Sequence, residues 1–179
     1  MGDTQRQRLE ERIASELVLI IALLGVAIVQ VALPPRLFAF LPNVLLLLVV
    51  CRALLAGASS AARWAFYGGL AIDLCSGSVL GSHAVALLAA ALAALVAFSP
   101  FNRTSWLVPI VGTLLGALAY HAVQVILISI MVAAVDLRSY VLIAALPETL
   151  ATVIPALPIF LMMRWLAERR RGRVSIDVY

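Results

Sequence analysis

The sequence predicts an all-α polytopic membrane protein with six transmembrane helices. Three observations carry that reading. Hydrophobic residues make up 64% of the 179 and charged residues 12%, for a mean hydropathy of +1.10. Soluble domains sit near 45–50% apolar and about 25% charged. The apolar residues also fall in runs punctuated by proline, glycine or arginine, without the strict alternation of a membrane β-barrel. The arginines, finally, stand at the ends of those runs, where they assign each loop a side. No loop is long enough for a separate soluble domain.

The elements follow in order. Residues 1–12 form a polar cytoplasmic tail in which Arg6, Arg8, Glu10, Glu11 and Arg12 mix signs, as on a solvated helix face. The first span is 13–33, ended by Pro34-Pro35. No small-residue cleavage site follows it, so it reads as a retained helix and not a signal peptide. The second span, 41–57, has Pro42 at its start, where a missing N–H costs nothing, and Asn43 at the outer interface. Arg52 falls near its inner end, close enough to snorkel. Residues 58–63 read as a small cytoplasmic turn.

The third span, 64–75, is short, rising only about 18 Å. The Ser76-Gly77-Ser78 turn is then expected to lie packed below the outer surface, or the bilayer to thin there. The alanine-rich fourth span is 79–98, the fifth 106–132, and the sixth 140–165, interrupted by Pro147, Pro155 and Pro158. A basic tail, 166–179, completes the chain. Six spans leave both termini on one side. Arg36 and Arg138 then fall outside, while Arg52, Arg63, Arg103 and the tail arginines fall inside, giving N-in/C-in.

The net charge of +4 comes from arginine without lysine. The cluster Arg164, Arg169, Arg170, Arg171 and Arg173 suits anionic lipid headgroups, and no nucleic-acid-binding motif is present. Cys51 and Cys75 are expected toward opposite faces, unpaired and too few for a metal set. GxSxG, Walker and HExxH patterns are absent, so neither catalysis nor a cofactor is expected. Ser59, Ser60 and His121 are the only raw material for an intramembrane serine protease, and their depths do not match. His83 reads as a packed or interfacial histidine.

The chain is organised around Gly68–Ser82, GGLAIDLCSGSVLGS. Asp73 places a carboxylate in a greasy segment, which demands a partner. We read it as a structural clasp that accepts hydrogen bonds from the Ser78–Gly81 backbone, with Ser76, Gly77 and Gly81 in the turn and Ser78 as N-cap. An ion or substrate ligand is the rival reading. Glu148, about two turns into the sixth span, is expected to be hydrated or to meet Arg138, Asn43 or a partner. Glu16 is expected to pair with Arg52 or Arg63. The stripes Ala86/Ala90/Ala94 and Gly112/Gly116 mark close helix contacts, within the bundle or with a partner. Pro155 and Pro158 are expected to kink the last helix and open a groove.

The GGLAIDLCSGSVLG stretch resembles the signature of the bacterial rod-shape-determining MreD family, and Leu41-Pro42-Asn43 opens the preceding helix as it does there. The family-motif positions are Pro42, Asn43, Gly69, Asp73, Gly77 and Gly81. The resemblance implies a non-enzymatic inner-membrane scaffold of the elongation complex. It would dock the bitopic protein MreC and, through it, link MreB to RodA and its penicillin-binding transpeptidase, with association of two copies left open. It also implies the six-helix fold of the substrate-binding subunits of energy-coupling-factor transporters. From that fold comes the alternative function, a vitamin-type small-molecule binder using an outer mouth near Asp73, Asn43 and Glu148. The polar groups counted there are few, which favours the scaffold.

Overall fold

The computed structural model describes residues 3–32, 42–98, 106–131 and 136–172, and their regular structure is helical throughout. The elements are α1 (Asp3–Ala32), α2 (Val44–Ala56), α3 (Ala58–Ser76), α4 (Ser82–Phe98), α5 (Leu107–Met131), α6 (Leu137–Tyr140), a π-helical turn (Val141–Ala145), α7 (Leu146–Val153) and α8 (Ala156–Gly172). Pro34-Pro35, Arg36, Leu41, Arg103 and Arg173 lie outside the described residues.

α2 is the hub. Apart from Arg52 it is apolar, and a helix of that kind must be covered on nearly every side. Leu45, Leu46, Leu47, Val49, Val50, Cys51 and Ala53 are all fully buried, and α1, α3, α4, α5, α7 and α8 pack around them. α1 lies at the periphery, with Ile13, Leu17, Val18, Ile21 and Val29 more than half exposed. In a membrane those side chains face lipid.

By length and apolarity, Ile13–Ala32 and Leu107–Met131 qualify as spans. Leu137–Val153 with Ala156–Arg169 makes a third if that pair, bent by 48°, is counted as one. Val44–Ala56 and Ser82–Phe98 are apolar but shorter.

Three sequence expectations change. The expected turn at 58–63 is helical: α3 starts at Ala58 and its 19 residues rise about 28 Å, so the third helix is not short. Gly57 alone makes the turn, with φ +81°, a conformation that L side chains rarely adopt. Arg52 secures the junction from α2, donating Nε–H to Ser60 Oγ at 2.7 Å and lying over the Trp64 ring at 5.3 Å. Secondly, Pro42 precedes α2 instead of opening it. Asn43 is the N-cap, accepting from Leu46 N at 3.0 Å. Thirdly, only Pro155 breaks the last helix. Pro158 sits in the first turn of α8, where no intrahelical N–H is required, so it kinks nothing. Pro147 acts upstream of that break. It removes a helical donor within a turn of the π segment, where Leu146 N instead bonds Val141 O five residues back.

Candidate functional site: a polar lock and an adjoining cavity

Small residues bring α3 and α4 together first. A Cβ on Gly69 would lie 2.2 Å from Ala84 Cα and 2.3 Å from Ala84 N, so only glycine permits this crossing. Asp73 is one turn further along α3, on the same face, and therefore meets the exposed N–H groups at the start of α4. Gly77 closes α3 in the left-handed conformation (φ +67°), its N–H donating to Asp73 O at 3.1 Å. Gly81, at φ +91°, turns the chain into α4.

Asp73 is 2% exposed, and both of its carboxylate oxygens accept hydrogen bonds. Oδ2 accepts from Gly81 N at 2.7 Å. Oδ1 accepts from Ser78 Oγ at 2.8 Å, Ser82 Oγ at 3.1 Å and His83 N at 3.2 Å. His83 Nδ1 stands 2.6 Å from Oδ1, so the ring places its proton there. Asp73 thus caps α4 from another helix. Ser78 is not the N-cap: α4 begins at Ser82, and Ser78 contributes its hydroxyl to the carboxylate instead. Ser76 Oγ donates to Ser78 Oγ at 3.0 Å. His83 is the partner that sequence reasoning passed over. It stands ten residues from Asp73, and the turn alone brings the two together.

A second polar network lies beside the first. Asn43, expected at the interface, is 3% exposed. Its Nδ2 donates to Glu148 Oε1 at 2.7 Å, its backbone N–H to Thr152 Oγ1 at 2.8 Å, and its Oδ1 accepts from Gln30 Nε2 at 3.3 Å. Of the partners proposed for Glu148, Asn43 is the one it meets. A chain of rings joins the two networks: His83 to Tyr120 at 6.2 Å between centroids, Tyr120 to His121 at 5.3 Å, His121 to Tyr140 at 6.0 Å. Gln124 Nε2 approaches Tyr120 Oη at 3.5 Å, and His121 Nδ1 lies 3.1 Å from Tyr140 Oη. A cavity of about 430 Å³ adjoins them, lined by His83, Tyr120, Gln124, Tyr140 and Glu148, among others. The polar groups near Asp73, Asn43 and Glu148 are therefore more numerous than the sequence count implied. α5 supplies Tyr120 and Gln124, which the sequence reading did not single out, and His121 beside them.

The remaining candidates are spent on packing or lie apart. Ala86, Ala90 and Ala94 are fully buried within the chain. A Cβ on Gly112 would meet Leu54 and Phe98, and one on Gly116 would meet Val50 at 2.8 Å. These stripes consequently offer no face to a partner. Glu16 pairs with Arg63 near the start of α3, a partly exposed pair that stabilises little. Arg164 donates to Glu168 at 2.9 Å, Arg169 stacks over Trp165 at 3.6 Å, and Arg170 and Arg171 continue α8. Ser60 is held by Arg52 while His121 faces Tyr140, so no nucleophile–base pair forms from them. Among the described residues, no three His, Cys, Asp or Glu side chains gather as a metal set, and both cysteines are free.

Fold and site together define an all-α membrane protein with a buried carboxylate locking one helical hairpin. The profile of the family described as rod shape-determining protein MreD matches residues 11–170, and the chain belongs to that family. Its role is accordingly in rod-shape determination, in a family of membrane proteins that is not a known enzyme family. Neither a curated protein nor a solved structure matches the chain.

Proposed function

We propose that the protein is a non-catalytic six-span scaffold of the bacterial inner membrane, N-in/C-in. In this reading it docks the single transmembrane helix of MreC and helps couple MreB to RodA and its penicillin-binding transpeptidase. The observation that carries this is the lock. Asp73 spends its carboxylate on five donors of the turn and the α4 start, four on Oδ1 and one on Oδ2, which ties α3 to α4 and stiffens a platform. Support for docking comes from α1. A shallow groove of about 390 Å³ runs along Ala22, Gly25, Val26 and Val29, and a Cβ on Gly25 would meet nothing within 4 Å. Small residues of this kind admit a neighbouring helix closely.

Affinity capture from native membranes, read by mass spectrometry, is the test. An MreC-like protein should be recovered with the wild type and lost with Gly25→Trp, which fills the groove without entering the core. Recovery of an ATPase pair would replace this reading with the transporter-subunit alternative. Recovery of MreC undiminished by Gly25→Trp would move the docking face elsewhere.

A further inference from the structure

We propose that the cavity between the start of α4, the second half of α5 and the α6–α7 stretch binds an organic ammonium group. Glu148 is its counter-ion, and Tyr120 and Tyr140 are its aromatic walls. The site stands apart from the docking reading above and uses different residues.

Its charge comes first. Glu148 is half-buried and lines the cavity, with Asn43 Nδ2 fixing Oε1 at 2.7 Å. Among the described residues Oε2 takes no hydrogen bond, and no arginine lines the cavity. An acidic side chain within a membrane domain calls for a partner, and a cation in the cavity supplies one. The walls act in the same direction. The ring faces of tyrosines attract a cation within about 6 Å of the centroid, more strongly once it is desolvated. Phosphate or carboxylate ligands are disfavoured for the converse reason, since the lining supplies a carboxylate and no fixed cation.

Shape narrows the source. Tyr140 also borders a second cavity of about 490 Å³, whose wall is nearly all apolar: Leu118, Val125, Ile126, Ala145 and Leu150. The π-helical turn begins just after Tyr140 and runs between the two spaces. Such turns are often found at functional sites. An ammonium in the first cavity with hydrocarbon in the second describes an aminophospholipid. A free amine shares the headgroup chemistry and would use the first cavity alone.

The experiment uses the full chain purified in dodecyl maltoside. Native mass spectrometry reports retention of phosphatidylethanolamine against phosphatidylglycerol, and calorimetry reports binding of ethanolamine and spermidine. We expect phosphatidylethanolamine to be retained over phosphatidylglycerol, or a free amine to bind. We further expect Glu148→Gln to weaken that binding about tenfold or more. Glutamine keeps an acceptor for Asn43, so the fold should stand. If its melting temperature falls, Tyr140→Leu is read instead, with the same direction expected. Retention of the lipid without free-amine binding assigns a headgroup, and free-amine binding alone assigns a soluble ligand. Both results support the site. Equal retention of the two lipids with no amine bound, or binding untouched by both substitutions, overturns it.

Discussion

The lock makes a quantitative prediction at Asp73, because its donors are of two kinds. Ser78, Ser82 and the His83 ring can reorient or change tautomer and accept a hydrogen bond instead of donating one. The N–H groups of Gly81 and His83 cannot. In Asp73→Asn the amide can keep its oxygen on Gly81 N and turn its NH₂ toward the hydroxyls, which leaves His83 N–H as the one orphan. One weak bond lost, at 3.2 Å in the native geometry, should cost about 1 kcal/mol. Asp73→Ala orphans both N–H groups and opens a small void. At about 1–3 kcal/mol for each unsatisfied donor, its cost should reach about 2–6 kcal/mol. Detergent-solubilised protein, unfolded by heat or by SDS and followed by circular dichroism, supplies the comparison. Asparagine should fall nearer wild type than alanine. If the two variants lose the same stability, the negative charge matters and the backbone cap does not, and the argument fails.

Three further predictions use the same measurement or a chemical label. Gly69→Ala forces a methyl group to 2.2 Å from Ala84 Cα and should destabilise by about 3 kcal/mol or more, whereas Gly25→Ala meets nothing and should cost under about 0.5 kcal/mol; equal melting temperatures would refute the close crossing. Asn43→Ala removes the α2 cap and takes the partner from Glu148 Oε1 and Gln30 Nε2, so a loss of about 2–4 kcal/mol is expected in SDS unfolding, and one below about 0.5 kcal/mol would contradict the network. Cys75 is half-buried near the turn and Cys51 fully buried, so a membrane-impermeant maleimide added to whole cells should label the wild type and not Cys75→Ser; labelling only after lysis would reverse the topology.

The class of protein was legible because composition and hydropathy are summed quantities that survive ignorance of contacts. Asp73 and its turn were legible for a related reason. Helix, glycine turn and next helix are adjacent in the chain, so donors and acceptor are confined to 73–83. Helix ends were less so. Reading 58–63 as a turn treated serine and arginine as loop residues, while the α2–α3 junction needed only Gly57 and the Arg52–Ser60–Trp64 contact to hold those residues in a helix.

By itself, then, the chain's order of residues determined an all-helical membrane protein, a carboxylate that must be partnered, and the glycines that let two helices meet. Tertiary structure alone decided which groups answer one another across distance. Asn43 meets Glu148 105 residues away, and α5 turns Tyr120 and Gln124 toward a cavity bounded by two other segments. The physical reason is range. Propensity and burial act along a few residues of chain, whereas the partner of a buried polar group is chosen by how rigid helices pack.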